Sequence, residues 1–151
     1  MRVLLLVALG ACGSSSTVPG DPILSGSLTG SYDTHAFTAA YGFATIYKNQ
    51  GLVGLADSAV HCGSENMANP PPGSGVIASV DVLAVGSYPS AFFEIYRNVG
   101  GFTAVGSTGD LEITSVDADT LSGSITYMYT DASDGKMYSA SGTFTVTHCP
   151  M

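Results

Sequence analysis

The chain has 151 residues, of which 12 are acidic and 4 are lysine or arginine, so its formal net charge is −8. Glycine, serine and threonine occupy 52 positions, whereas glutamate, glutamine, lysine and arginine together occupy only 8. Helical bundles need these long polar side chains on their solvated faces, and nucleic-acid binding needs a basic surface. The composition therefore excludes a helical bundle and a nucleic-acid binder, and a hydrophobic content of 45% excludes a disordered chain.

The N-terminus has the layout of a secretory signal peptide. Arg2 precedes an apolar run from Val3 to Leu9, and small residues follow the run. This run is too short to cross a bilayer, which takes about 20 apolar residues. The sequence Leu9-Gly10-Ala11-Cys12 then resembles the lipobox, the cleavage motif of bacterial lipoproteins.

This resemblance implies that residues 1–11 are a signal peptide and that Cys12 becomes the lipidated N-terminus. Two or three acyl chains hold a protein on a membrane where a single chain does not. An aspartate after the cysteine commonly favours the inner membrane, and this chain has Gly13 there, so the resemblance implies the cell envelope with the outer membrane favoured. Residues 12–22 are rich in serine, glycine and proline and predict a flexible tether, which leaves 23–151 as one β domain.

Apolar residues alternate with small polar ones through most of residues 23–151, which predicts antiparallel strands with one solvated face. The clearest alternation runs from Tyr138 to Thr147. Strands are predicted at residues 25–30, 36–47, 52–57, 76–85, 91–97, 101–106, 110–116, 120–130 and 138–147, with glycine-containing turns between most of them.

Eight or nine short strands without a helix predict an all-β fold. The first choice is an antiparallel β-sandwich of jelly-roll or immunoglobulin-like topology. A small antiparallel β-barrel is the alternative, because both architectures alternate in the same way. Within residues 36–47 the alternation predicts that Phe37, Tyr41, Phe43 and Tyr47 share one face.

Two cysteines remain after export, Cys62 and Cys149, and an even pair in an oxidising compartment predicts a disulfide. Each follows a histidine, His61 and His148, and two cysteines with two histidines also make a zinc ligand set. Adjacent side chains of a strand point to opposite faces. The disulfide is therefore favoured over a metal site.

Candidate catalytic and calcium-binding residues are few. The nucleophile-elbow pattern G-x-S-x-G is absent, so the chain is predicted not to be an enzyme and to use no cofactor. A hydrolase acting through His35 or His61 with acidic partners is the alternative. Asp117 and Asp119 are the foremost calcium candidates because carboxylates cluster near them, although they lack the glycine and glutamate of an EF-hand loop.

The sequence thus predicts a membrane-anchored cell-envelope lipoprotein with a binding or structural role, whose protein or glycan partner it does not specify. An extracytoplasmic hydrolase and a carrier of a small apolar ligand are the alternatives. A histidine sharing a pocket with a carboxylate and a nucleophile would favour the hydrolase. An apolar cavity inside a closed barrel would favour the carrier.

Overall fold

The computed structural model describes residues 24–62 and 71–149, so the predicted signal peptide, Cys12 and the tether lie outside the described residues. The strands are β1 (Ser25–Tyr32), β2 (His35–Thr38), β3 (Tyr41–Tyr47), β4 (Gln50–Ala56), β5 (Gly73–Val80), β6 (Gly86–Asn98), β7 (Phe102–Val116), β8 (Thr120–Thr130) and β9 (Met137–His148). These residues include no helix that could cross a membrane. The predicted all-β class is confirmed.

The strands form one sheet that closes on itself. Strands β3 to β8 follow one another as antiparallel neighbours, and β9 pairs with both β8 and β3, which makes a closed barrel of seven strands. Strand β1 pairs with β9 on one side and with β2 on the other. The predicted sandwich is wrong, because the described strands form one sheet that closes through the pairing of β9 with both β8 and β3, and not two separate sheets. The alternative prediction, a small barrel, describes the closure.

Two predicted turns are parts of strands. Strand β7 runs unbroken through residues 107–110, because β6 continues beside it with Phe92 opposite Thr108. Strand β6 already begins at Gly86 and takes up Pro89 in a bulge between Tyr88 and Ala91.

The hairpin between β3 and β4 has the turn that its sequence predicts. Lys48 and Asn49 both have positive φ, 49° and 65°. That conformation is typical of the two-residue turn matching the twist of an antiparallel pair.

Alternation holds along β8 and β9 but shifts phase before β3. The predicted inward residues of β9, from Tyr138 to Val146, are buried in the barrel interior. Phe37 is also interior, whereas Phe43 packs on the outer side, so the prediction that they share a face is wrong. Ala39 and Ala40 cause the shift, because Ala39 donates its N–H to β1 whereas Ala40 donates to β4.

Strands β4 and β5 are buried on both faces. Val53 and Val76 point into the interior, whereas Leu52 and Ile77 belong to a separate buried cluster with Tyr96 on the outer side. Such strands have near-continuous apolar sequences, as in the residues 51–56 (GLVGLA) of β4.

Aromatic rings lie over glycines throughout the sheet. A Cβ atom at any of these glycines would meet the ring on the adjacent strand, so the glycine makes room for the aromatic side chain. The pairs are Phe37 over Gly30, Phe43 over Gly54, Phe92 over Gly106, Phe93 over Gly109, Tyr96 over Gly75 and Phe144 over Gly123. These contacts give the glycines a packing role within strands, in addition to the turn role that the sequence suggests.

Candidate functional site

The disulfide fastens the place where the barrel closes. Cys62 and Cys149 are joined with their Cα atoms 5.4 Å apart, which confirms the predicted pair. Cys149 also donates its N–H to the carbonyl of Ala44 at 2.8 Å. Val60 and the disulfide pack against Phe43 on the outer side of β3. Because both thiols are consumed, the alternative zinc set of two cysteines and two histidines cannot form.

The histidines lie in two regions of the fold, because His61 and His148 each adjoin a cysteine of the disulfide whereas His35 is on β2. His35 begins β2 and is exposed, and His61 is exposed in the segment after β4. His148 ends β9, where its Nδ1 lies 2.9 Å from the carbonyl oxygen of Asp117. The hydrolase alternative needs a histidine beside a carboxylate and a nucleophile in one pocket.

Two open clefts lie on the barrel surface. The first has a volume of about 380 Å³ and is lined by small side chains of β1, β2 and β9 around Phe37. The second has about 490 Å³ and lies beside the β6 bulge. No described histidine lines either of these two clefts.

The calcium candidates Asp117 and Asp119 lie in the turn between β7 and β8. Their backbones are fixed: Asp117 donates its N–H to the Thr120 carbonyl at 2.8 Å, and the Asp119 carbonyl accepts the His148 N–H at 2.9 Å. Within residues 24–62 and 71–149, no group of three or more histidine, cysteine, aspartate or glutamate side chains is arranged to hold a metal ion. The two aspartates therefore form a turn against the end of β9.

Side chains occupy the barrel interior. Large residues from facing strands, including Leu28, Ile95, Leu111 and Phe93, have almost no exposed surface. Phe93 stacks on Tyr127 with ring centroids 5.3 Å apart. Eight-stranded and smaller barrels are just wide enough for side chains to fill, so the closed wall does not make this interior a ligand cavity.

Tyr127 carries a polar group in this apolar interior. Its hydroxyl is buried and has no hydrogen-bond partner among the described residues. Burial, with a smaller contribution from the nearby Tyr129 and Tyr138, raises the pKa of Tyr127 to about 12. The hydroxyl is therefore neutral at physiological pH and costs desolvation free energy without recovering a hydrogen bond.

Tyrosines line the end of the interior beyond Tyr127. Tyr32 meets Tyr138 edge-on with ring centroids 5.1 Å apart, and Tyr129 stacks on Tyr138 at 6.2 Å. These pairs belong to the interior cluster or pack against it. The aromatic rings thereby continue the packed interior to the end of β8.

The cleft beside the β6 bulge combines apolar and polar groups. Phe92, half-exposed, lies over Gly106, and the Tyr88 hydroxyl donates to the Ala84 carbonyl at 2.8 Å, which holds the loop between β5 and β6. Asp81 adds a carboxylate to the lining. The sequence did not single out this cleft, although the Pro89 that marks the bulge could have indicated an irregularity within a strand.

Glu94 lies on the same outer side of β6 as Phe92. It faces Ile77 on β5 and Gly106 on β7, and it is partly buried. Burial raises the pKa of the Glu94 carboxyl above its ordinary value. A partly desolvated carboxylate between apolar neighbours is a cost to the folded state at neutral pH.

Comparison of the chain with protein-family models, with curated proteins and with solved structures finds no match. The described residues form a packed barrel with the Cys62–Cys149 disulfide, and two open clefts lie on its surface.

Proposed function

We propose that the protein is a lipoprotein of the bacterial cell envelope, anchored through Cys12, whose barrel has a binding or structural role outside the cytoplasm. The observation that carries this proposal is the disulfide between Cys62 and Cys149. Disulfides persist in oxidising compartments and are rare in the cytosol. The lipobox-like residues 9–12 supply both the export signal and the anchor, and Gly13 favours the outer membrane.

A binding or structural role accounts for the barrel better than the alternatives do. A carrier needs an internal cavity, and side chains fill the interior around Phe93 and Tyr127. A hydrolase needs a base near its nucleophile, and no described histidine lines either of the two clefts. Contacts with a partner would then be made by the outer surface, where both clefts open.

Lipid attachment is tested in the full chain expressed in a double-membraned bacterium supplied with a clickable palmitate analogue. The native chain should incorporate the label and remain in the membrane fraction. Cys12→Ser should lose the label and leave that fraction, yet keep the Cys62–Cys149 disulfide in a non-reducing peptide map. Labelling that is equal in the native chain and in Cys12→Ser would contradict the proposed anchor.

The choice of membrane is tested with Gly13→Asp. Density-gradient separation should place the native chain in the outer-membrane fraction and shift Gly13→Asp towards the inner membrane. Gly13→Ala is the matched control and should behave as the native chain does. If the native chain and both variants all fractionate with the inner membrane, the outer-membrane assignment fails although the anchor stands.

A further inference from the structure

One edge of strand β7 pairs with a neighbouring strand over only part of its length. Its first edge pairs with β6 from Phe102 to Ile113. Its second edge pairs with β8 only from Asp110 onwards, and the end of β8 pairs with β9 alone. In the part of the chain that the structure describes, no strand pairs with the second edge of β7 over Phe102–Gly109, which we call the free β7 edge.

The free β7 edge lacks the devices by which proteins protect such edges. Lysine, proline, bulges and short length normally prevent an exposed strand from pairing with another chain. The eight residues FTAVGSTG include no charged residue and no proline. They are also the least buried long stretch of strand, and Phe102 is 46% exposed.

Two other unpaired edges of the described barrel are protected. The start of β6 is unpaired on the side of β5, and it contains Pro89 and a bulge. Strand β2 pairs only with β1 but has just four residues, His35–Thr38. The free β7 edge differs from both in being long, regular and uncharged, as expected of an edge that a partner covers.

We propose that the free β7 edge is the interface of a symmetric dimer, in which two copies of this chain pair their β7 strands antiparallel about Val105. This arrangement places Ala104 opposite the partner's Gly106 and Thr103 opposite the partner's Ser107. Residues of equal parity then meet, so the outer faces of the two sheets continue into each other.

The chemistry of this register suits a second copy. A pair of Thr103 with the partner's Ser107 repeats the cross-strand hydroxyl pair of Ser122 and Thr145, whose oxygens are 2.7 Å apart. The chain has a net charge of −8, yet the uncharged edge brings no like charges together across the interface. Self-pairing would also cover part of the apolar surface of Phe102.

Cross-linking at the symmetry axis tests the register. Side chains directly opposite in an antiparallel pair have Cβ atoms about 4.5–5.5 Å apart, so Val105→Cys should form an intermolecular disulfide in the full chain under mild oxidation. The control is Val85→Cys, because Val85 is 66% exposed and precedes Gly86, which pairs with Ile113 eight residues along β7 from the axis. A Val105→Cys chain that yields no more covalent dimer than Val85→Cys would overturn the proposal, as would cross-linking solely to a different protein.

Disruption of the edge is the second test. Thr103→Lys places two lysines in the interface, and we expect sedimentation equilibrium of the detergent-solubilised full chain to show at least about a tenfold weaker dimer. Thr126→Lys is the matched control, because Thr126 is exposed but paired on both edges. A native chain that stays monomeric, or a dimer that Thr103→Lys leaves intact, would refute the interface. Neither result depends on Cys12, so the proposed anchor is judged separately.

Discussion

The two seams on either side of the β8–β9 hairpin are secured in different ways. Strand β9 meets β3 at only two residue pairs, Phe43 with Thr147 and Ala44 with His148, but the disulfide fastens this seam. Strand β7 meets β8 over six pairs and then separates from it beyond Asp110, with no cross-link. The shorter ladder is thus the one with a covalent link, so we expect closure of this barrel to depend on the disulfide and on packing more than on ladder length.

Of the changes that test this difference between the seams, removing the disulfide should have the largest effect on the free energy of unfolding. The bond closes a loop of 87 residues in sequence separation, which corresponds to about 4–5 kcal/mol in the chain-entropy model. We expect Cys62→Ser with Cys149→Ser to lower the free energy of unfolding by about 4 kcal/mol in urea titrations. Hydrogen exchange should also accelerate at the amide of residue 149, which in the native chain donates to the Ala44 carbonyl, while the β7–β8 ladder keeps its protection at stabilities corrected for the global change. A loss below about 1 kcal/mol would mean that packing alone holds the β3–β9 seam.

Glycines beneath aromatic rings should distinguish the two seams next. Next to the reinforced seam, a Cβ on Gly54 of β4 would overlap the ring of Phe43 of β3, which packs against Val60 and the disulfide. Next to the other seam, a Cβ on Gly109 of β7 would lie 3.1 Å from the ring of Phe93 of β6. We expect Gly54→Ala to cost about 1–3 kcal/mol and Gly109→Ala less than about 1 kcal/mol.

Chemical denaturation of the two glycine variants measures both costs. The ratio between them is the informative quantity, because the substitution is identical and both sites lie within strands. Equal costs would show that Phe93, beside the β7–β8 seam, is packed as tightly as Phe43, beside the β3–β9 seam, which would contradict the expected contrast.

Removing the buried hydroxyl of Tyr127, close to the β7–β8 seam, should change stability by a smaller amount and should stabilise the fold. Tyr127 loses hydration without gaining a hydrogen bond from the described residues, so we expect Tyr127→Phe to stabilise the fold by about 1 kcal/mol. Tyr88→Phe is the matched control, because it removes the hydrogen bond to Ala84 and should destabilise by about 1 kcal/mol. Thermal unfolding of both variants would decide the sign, and a destabilised Tyr127→Phe would show that the hydroxyl has a partner.

The dependence of stability on pH in alkaline solution is an independent measurement of the state of Tyr127. Its pKa is about 12 in the folded chain and near 10 when unfolded. The associated stability is therefore fully present below pH 10 and is lost as the pH rises towards 12. Tyr127→Phe should flatten this decline.

The local pattern predicted the strands better than their closure. The stretch from Tyr138 to Thr147 forms a strand with the expected inward residues, because its alternation depends on that strand alone. Closure depends on which strand meets the second edge of β9, and alternation carries no information about that choice. The shift in alternation at Ala39 and Ala40 could not be predicted for the same reason, because it arises from hydrogen bonds to two different strands.

The candidate sites also differ in whether the local sequence could predict them. Pairing of Cys62 with Cys149 could be predicted because the interpretation of Cys12 as a lipidation site leaves only these two cysteines. The cleft beside Phe92 and the free β7 edge could not, because they exist only where neighbouring strands bend apart. Residues 107–110 resemble a turn in sequence yet continue β7, and this misreading conceals the long edge.

The smallest expected effect concerns Glu94, on the outer side of the hairpin that carries the free β7 edge. Burial raises the pKa of its carboxyl in the folded chain, so the folded state binds the proton more tightly than the unfolded state does. The stability linked to this proton is fully present below the unfolded pKa of about 4.5 and is lost as the pH rises through the folded value. We therefore expect Glu94→Gln to melt at a higher temperature than the native chain at pH 7 and the difference to shrink below pH 4.5.

Glu112→Gln is the control for that measurement, because Glu112 lies exposed on β7. Its melting temperature at pH 7 should stay within the small range usual for surface substitutions. If Glu94→Gln also has the same melting temperature as the native chain at pH 7, water reaches the carboxylate between Ile77 and Gly106. The outer side of the β6–β7 hairpin would then be open beyond the edge itself, and the contrast with the firmly packed β3–β9 seam would extend to the whole hairpin.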